Sequence, residues 1–221
     1  MNNLTISQEY FLCVLTEKGR LASVFSDAPN YLFAGSMLDL FISKALAFDE
    51  KKKVVAADEL RPEYAHLSPL YQFVKESKPR KIGDIFASFN MTFTDKRLNE
   101  LIGNIGVSLA DKQCVEITYG GIGGKKPYYV PVSGAVNNVV QQIRAELLED
   151  GAVSENMIAL VSLLNESGDI KKYFSAYEKD RLNAHLKEIK TSDSNKLLKE
   201  IFEVIDEINT VIILLMTTAS Q

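Results

Sequence analysis

The residues best suited to binding chemistry lie in one short stretch, between two runs rich in β-branched and aromatic residues. Lys125 and Lys126 follow the glycine-rich sequence at 120–124, which contains Ile122, and Tyr128 and Tyr129 come shortly after. Cations beside an apolar residue and tyrosines are typical of a surface that contacts anionic lipid headgroups. The stretch favours a membrane or subunit contact, and the alternative is that turn lysines only keep the tip soluble.

The remaining candidates for chemistry are isolated along the chain. His66 and His185 each lack a second histidine at ligand spacing, so we expect surface or capping histidines and no metal site. Cys13 and Cys114 have no local base, so we expect buried thiols in a reducing compartment, no cofactor and no enzyme activity. Asp39 lies within an apolar run. Two interpretations remain open: a carboxylate that caps a neighbouring helix, or an acid that binds a ligand.

The composition limits the classes of function. With 221 residues, 46% of them hydrophobic, we expect one domain over 1–221. The net charge of −4 makes broad nucleic-acid binding unlikely. No apolar run reaches the roughly 20 residues of a spanning helix, and no basic-then-apolar leader precedes Leu4. We therefore expect a cytoplasmic protein without a transmembrane segment, either soluble or peripheral at the cytoplasmic face of a membrane.

The stretch Ser26–Phe48 predicts a central helix. Its polar residues Ser36, Asp39 and Ser43 recur at spacings of three and four, and nearly all the others after Tyr31 are apolar or glycine. A helix that is apolar over most of its circumference must be buried on nearly all sides.

Hydrophobic periodicity predicts helices over most of the remaining chain and places two hairpins between them. The hairpins are Ala45–Val55, with Lys51–Lys53 at its tip, and residues 114–132. We expect Tyr31–Ala47 and Leu197–Met216 to be the most buried helices of one mainly α-helical domain. The other predicted helices are Leu4–Leu15, one that begins at Ser68, Lys81–Phe89, Thr94–Ile105, Ser133–Asp150, Ser154–Asn165, Ile170–Lys190 and Asn195–Thr217.

Several pieces of the sequence follow one another in an informative order. They are LTISQEYFLCVLTEKGR, FAGSMLDLFISKAL, PLYQFVKESKP, RLNELIGNIGVSLADKQ and IRAELLEDGAVSENMIALVSLLNESGDIKKYF. In this order they resemble the Golgi phosphoprotein 3 family of peripheral membrane proteins, and especially its shorter prokaryotic members. The resemblance implies a compact, mainly α domain with a central buried helix bundle, surrounding amphipathic helices and a projecting β-hairpin that self-associates and touches membranes.

The same resemblance implies binding of phosphatidylinositol 4-phosphate in a pocket built from a tryptophan and arginines. Phe25 stands at the tryptophan position, and Ala34, Thr92 and Asp95 stand at arginine positions, with Lys96 or Arg97 as alternatives for the last two. Each charge-assisted hydrogen bond that an arginine would donate contributes about 1.5–3 kcal/mol. We therefore expect no strong preference for this lipid over other anionic phospholipids.

Two functions of different kinds follow. The first is a non-enzymatic phospholipid-binding module at a membrane, which uses the 114–132 hairpin and nearby basic residues. The alternative is a soluble protein-interaction or regulatory domain that forms homo-oligomers through the hairpin. A winged-helix nucleic-acid binder fits less well, because Lys96 and Arg97 of the helix before the hairpin are balanced by Asp95 and Glu100.

Overall fold

Most of the described chain is helical. The computed structural model describes residues 3–21, 27–90, 96–149, 153–191 and 196–219. The α-helices in these ranges are α1 (Ile6–Val14), α2 (Ala28–Ile42), α3 (Ser68–Glu76), α4 (Ile82–Asn90), α5 (Lys96–Asp111), α6 (Ala135–Leu147), α7 (Glu155–Glu166), α8 (Ala176–Thr191) and α9 (Lys196–Ala219). Short 3-10 helices lie at Pro62–Leu67, Ile122–Gly124 and Asp169–Lys172. The predicted mainly α-helical fold is confirmed.

Four short strands form two separate antiparallel hairpins. The strands β1 (Leu46–Phe48) and β2 (Val54–Ala56) form the first, and β3 (Val115–Gly120) and β4 (Lys126–Pro131) form the second. Both hairpins lie where the sequence places them.

Helix α2 is buried around nearly its whole circumference, as its apolar composition predicts. Twelve of its 15 residues are buried, and it packs against α1, α7 and α9. A Cβ atom on Gly35 would lie 3.4 Å from the Cα of Ser7 and 3.4 Å from the Cδ1 of Leu163, so α1 and α7 cross α2 closely at this glycine. The predicted helix Tyr31–Ala47 ends too late, because Lys44, with a φ of 65°, turns the chain into β1.

Asp39 reaches from α2 to the first turn of α1. Its Oδ1 accepts a hydrogen bond from the amide of Ile6 at 2.8 Å, and its Oδ2 accepts from the amide and the hydroxyl of Ser7 at 3.0 and 2.6 Å. A carboxylate at a helix N-terminus satisfies amides that have no partner within the helix. Of the two interpretations of Asp39, the capping carboxylate is therefore confirmed.

The helices around α2 are buried to different degrees. All nine residues of α1 and eight of the twelve in α7 are buried, whereas Ile213 and Leu214 of α9 are mostly exposed. The prediction that Leu197–Met216 is one of the two most buried helices is wrong. Among the α9 side chains that the structure describes, only the stripe that faces the neighbouring helices is buried: Ile201, Val204, Ile205, Ile208 and Ile212. Across the described ranges no helix, α9 included, has the length and apolar composition to cross a membrane.

The predicted helix Ile170–Lys190 is interrupted. A 3-10 helix covers Asp169–Lys172, and α8 begins only at Ala176. The hydroxyl of Ser175 accepts a hydrogen bond from the Glu178 amide at 3.2 Å, and the Glu178 carboxylate accepts one from the Ser175 amide at 2.8 Å. This reciprocal pair is a capping box, which marks the start of a new helix.

The burial of α2 leads to a stability prediction. Leu38 is fully buried, so we expect Leu38→Asn to lower the free energy of unfolding by about 3–5 kcal/mol, because its amide would be buried within an apolar core. Chemical denaturation measures the change. Tyr177→Asn is the control, since Tyr177 is 71% exposed and a surface change should stay within about 0.5 kcal/mol. An unchanged denaturation midpoint for Leu38→Asn would contradict the central position of α2.

Candidate functional site

The β3–β4 hairpin carries the predicted contact residues. Its register ends with Gly120 opposite Lys126, and the 3-10 turn Ile122–Gly124 closes it. The glycines at 121, 123 and 124 have φ values of 78°, 80° and 64°. Residues with a Cβ rarely adopt this backbone region, so the turn depends on these glycines. The glycine-rich stretch is therefore a formed turn at the end of the hairpin.

One face of the hairpin is attached to the helices through Tyr129. This tyrosine is only 6% exposed, and its ring centroid lies 5.6 Å from that of Phe11 in α1. It also covers α5, where a Cβ on Gly106 would lie 2.3 Å from the ring, and its hydroxyl donates to the Gly103 carbonyl at 3.4 Å. Sequence reasoning placed Tyr129 in a membrane or subunit contact. The structure instead places it in the core, so the exposed surface of the hairpin does not include it.

The turn that follows α1 docks on the outer edge of β4. The carbonyl of Gly19 accepts a hydrogen bond from the amide of Tyr129 at 2.8 Å. Gly19 has a φ of 70°, and a Cβ there would lie within 2.7 Å of the β4 backbone, so only glycine fits. The next residue, Arg20, places its guanidinium carbon 4.6 Å from the centroid of the Tyr128 ring. Sequence reasoning did not include Arg20 in the site, although the glycine before it signalled a turn.

The tip presents cations and one tyrosine to solvent. Lys125 and Lys126 are exposed, and Tyr119 is 69% exposed. Neither lysine has a salt-bridge partner among the residues described. Tyr128 is half-buried beneath Arg20, and the side chain of Ile122 lies outside the described part of the structure. The exposed part of the hairpin is therefore cationic and partly aromatic.

One of the pocket positions implied by the resemblance lies within the described residues. Ala34 lies in α2 and is 1% exposed, so it contributes neither charge nor surface. Phe25, Thr92 and Asp95 lie outside the described residues.

Lys96 and Arg97 begin α5 and are exposed. The guanidinium of Arg97 lies 5.1 Å from the centroid of the Phe73 ring and donates to the Ser88 carbonyl at 3.2 Å. Gly103, which Tyr129 of the hairpin contacts, lies six residues after Arg97. Six residues correspond to about 9 Å along the helix axis. Lys96 and Arg97 thus lie at one end of α5, while the hairpin packs against a later part of that helix.

The lysines at the β1–β2 tip have structural partners. The Asp49 carboxylate accepts hydrogen bonds from the amides of Lys51 and Lys53 at 2.8 and 2.9 Å, which shapes the turn. Lys52 forms a salt bridge with Glu203 of α9 at 2.8 Å. This tip is therefore partly neutralised, in contrast to the tip of the β3–β4 hairpin.

A buried polar cluster surrounds the Asp39 cap. Burial raises the pKa of Asp39 to about 6, although hydrogen bonds from Ser7 and Ile6 oppose the shift. Burial raises the pKa of Glu9 to about 8, with further contributions from the charges of Asp39 and Glu146. Burial, followed by the charge of Lys112, lowers the pKa of His66 to about 4, so this histidine is neutral at pH 7. Of the two expectations for His66, a surface or a capping histidine, the surface position is wrong, because this residue is 8% exposed.

The cluster brings together a serine, a histidine and an aspartate, but not in the arrangement of a hydrolase. The Ser7 hydroxyl lies 3.4 Å from the His66 Nε2 and donates to Asp39 at 2.6 Å. In a catalytic triad the carboxylate orients the histidine, whereas here it holds the serine directly. Ser7 is also fully buried, which closes the hydroxyl to a substrate. This geometry caps a helix and does not prepare a nucleophile.

Other reactive groups are separate from one another. Cys13 and Cys114 are buried and are not joined to each other in a disulfide, as expected. The Nδ1 of His185 donates a hydrogen bond to the Leu147 carbonyl at 3.2 Å, near the end of α6. No group of three or more His, Cys, Asp or Glu side chains within the described ranges is arranged to hold a metal ion.

Comparison with known proteins agrees with the resemblance seen in the sequence. A model of the Golgi phosphoprotein 3 family matches residues 6–208. The matched range begins at the first residue of α1, includes the whole β3–β4 hairpin and ends within α9. No curated protein matches the chain.

The raised pKa of Glu9 predicts how stability depends on pH. The native state holds this proton more tightly than the unfolded state, where the pKa is near 4.5. The stability that Glu9 contributes is therefore complete below about pH 4.5 and is lost as the pH rises through about 8. We expect Glu9→Gln, which cannot ionise, to raise the melting temperature relative to wild type increasingly over this interval.

Thermal unfolding of both proteins across this pH interval measures the difference. Like Glu9, Asp39 has a raised pKa, so its contribution to stability falls as the pH rises. His66 has a lowered pKa, so its contribution rises with pH. Both groups are present in wild type and variant, so their contributions largely cancel in the comparison. A difference that stays constant with pH would contradict the assignment to Glu9.

Proposed function

The chain belongs to the Golgi phosphoprotein 3 family, and from this premise we propose that it is a non-enzymatic peripheral membrane module that binds anionic phospholipid headgroups. The β3–β4 hairpin makes the contact. Cys13 and Cys114 are buried and not joined in a disulfide, which suits a reducing compartment, so we propose the cytoplasmic face of a membrane as the place of action.

The observation that supports this proposal best is the contrast between the two hairpin tips. Lys125 and Lys126 are exposed and have no salt-bridge partner within the described residues, whereas Lys52 at the other tip is paired with Glu203. A lysine near an anionic bilayer surface contributes about 1 kcal/mol. Tyr119 adds an exposed ring with a polar end, which suits the interface between headgroups and acyl chains.

The base of the hairpin also favours this function. Tyr129 packs on α1 and α5, and Gly19 pairs with the outer edge of β4. A tip on a fixed base loses little conformational entropy when it meets a surface, because the turn is already formed and only exposed side chains become ordered. The binding energy of the lysines is then available for attachment.

The alternative function is self-association through the hairpin. On the outer edge of β3, the backbone groups of Ile117 and Tyr119 have no backbone hydrogen-bond partner in the part of the chain that the structure describes. An open strand edge can pair with the same edge of a second copy. Such pairing tolerates salt, whereas attraction between lysines and lipid weakens as salt rises. Sedimentation of the protein alone, at low and high salt, distinguishes the two functions.

The membrane contact is tested by charge reversal at the tip. We expect Lys125→Glu/Lys126→Glu to weaken binding to vesicles of phosphatidylcholine and phosphatidylserine by at least about tenfold, because two attractive charges become repulsive. Co-sedimentation measures the bound fraction. The matched control is Lys51→Glu/Lys53→Glu, which makes the same charge change at the β1–β2 tip and should bind like wild type. Equal loss in both variants would show that only net charge matters and would contradict the role of the hairpin.

The lipid preference follows from the pocket positions. Since Ala34 is buried and uncharged, and the sequence has Thr92 and Asp95 where the family pocket has arginines, we propose that phosphatidylinositol 4-phosphate is not strongly preferred. We compare vesicles that contain this lipid with vesicles that contain phosphatidylserine at the same total charge. We expect the affinities of the protein for the two kinds of vesicle to agree within about threefold. A clear preference that Phe25→Ala abolishes would contradict this expectation.

A further inference from the structure

The turn between α1 and Leu21 holds an arginine against the hairpin. The amide of Thr16 donates to the Arg20 carbonyl at 2.8 Å, and the amide of Gly19 donates to the Thr16 carbonyl at 2.8 Å. These bonds fix the backbone of Arg20, and the Gly19 bond to β4 fixes the turn on the hairpin. Arg20 is exposed, and its guanidinium carbon lies 4.6 Å from the Tyr128 ring centroid.

Arg20 differs from the other arginines that stack on aromatic rings in the described residues. Arg61 and Arg144 each form a salt bridge, with Glu63 and Glu178. Arg80 and Arg97 each donate to an oxygen of Ser88.

The guanidinium of Arg20 has no acceptor among the described residues. The contact with the Tyr128 ring limits where the guanidinium lies, while its N–H donors remain available to a ligand. A planar fork of donors held in this way suits two oxygens of one phosphate group.

Tyr128 links Arg20 to the tip. A Cβ on Gly120 would lie 2.3 Å from the Tyr128 ring, and one on Gly121 would lie 3.7 Å from the Tyr128 hydroxyl, so the ring extends toward the turn. Lys126 is two residues before Tyr128 in β4, and side chains two residues apart in a strand lie on the same face. Arg20, Tyr128 and Lys126 therefore share one face of the hairpin, opposite to the face that carries Tyr129.

We infer that Arg20 binds the phosphate group of an anionic membrane lipid, with Tyr128 as its positioning residue and Lys126 as a second cation on the same face. This inference rests on the proposed membrane contact and adds a specific phosphate contact beside the tip. Glu116 also belongs to this face, but it pairs with Val130 on the far side of Tyr128 from Lys126. Repulsion from its carboxylate therefore favours an anion on the side toward the tip.

The test is binding to vesicles of phosphatidylcholine and phosphatidic acid, with pure phosphatidylcholine vesicles as the blank. We expect Arg20→Gln to weaken binding about fivefold. Arg20→Lys keeps the charge but not the planar fork, so it should recover part of the loss and still bind more weakly than wild type. Tyr128→Leu should weaken binding as Arg20→Gln does, and Tyr128→Phe, which keeps the ring, should restore it.

The matched control is Arg61→Gln. It removes an arginine that also stacks on a tyrosine, at 5.3 Å from the Tyr64 ring, but that already has an acidic partner. We expect wild-type binding from this variant and an unchanged melting temperature for Arg20→Gln, since the Arg20 side chain makes no hydrogen bond within the described chain.

The outcomes separate the inference from the proposed function. If wild type binds and Lys125→Glu/Lys126→Glu weakens binding while Arg20→Gln does not, the Arg20 site is overturned and the hairpin contact remains. Full binding by Arg20→Lys would overturn recognition by the planar fork. Wild-type protein that binds anionic vesicles no better than pure phosphatidylcholine would overturn both.

Discussion

The fold depends on one carboxylate in an apolar environment. Asp39 is the acidic residue of α2, near the C-terminal end of the helix, and it accepts three hydrogen bonds from the first turn of α1. A buried carboxylate without such donors would be destabilising, and a buried helix start without an acceptor would leave amides unsatisfied. Each requirement is met by the other, which fixes the position of α1 along α2. Gly35, one turn earlier in α2, lies at the same crossing, where the Ser7 Cα would be 3.4 Å from a Cβ on this glycine.

The position of α1 in turn determines where the hairpin lies. Phe11 of α1 contacts the Tyr129 ring, and the chain leaves α1 through the turn in which Gly19 binds the edge of β4. The hairpin is therefore attached at its base by α1, its following turn and α5, while its tip remains exposed. A single path of packing and hydrogen bonds joins the buried cap to the surface that we propose for membrane contact.

The sequence was informative where one strong pattern determines the structure. The line of polar residues in α2 predicts a central buried helix, and the glycines at 120–124 between β-branched runs predict the hairpin. The end of α2 and the gap before α8 depend on local backbone chemistry. For α8, Ser175 and Glu178 in the sequence already have the spacing of a capping box, which marks the start of a helix. The exposed face of α9 was not predictable in the same way, because an apolar stripe does not show how many neighbours surround it.

The candidate site was harder to predict because strand alternation does not say which face is buried. Tyr128 and Tyr129 have the same side chain and adjacent positions, yet α5 offers Gly103 and Gly106 to only one of them. Arg20 joins the site through Gly19, a contact between residues more than a hundred positions apart in the chain. Long-range contacts of this kind leave no periodic pattern in the sequence.

The overall charge of the protein makes the placement of its cations important. With a net charge of −4, the molecule as a whole is repelled by an anionic surface. At physiological salt that repulsion is screened over about 8 Å, so charges on an exposed tip interact with the surface before more distant acidic residues do. Lys125, Lys126 and Arg20 are grouped on or beside such a tip, and many of the carboxylates lie on other elements, such as α9. In the membrane contact that we propose, this grouping favours an orientation in which the tip faces the membrane and the base of the hairpin and the helices behind it point away from it.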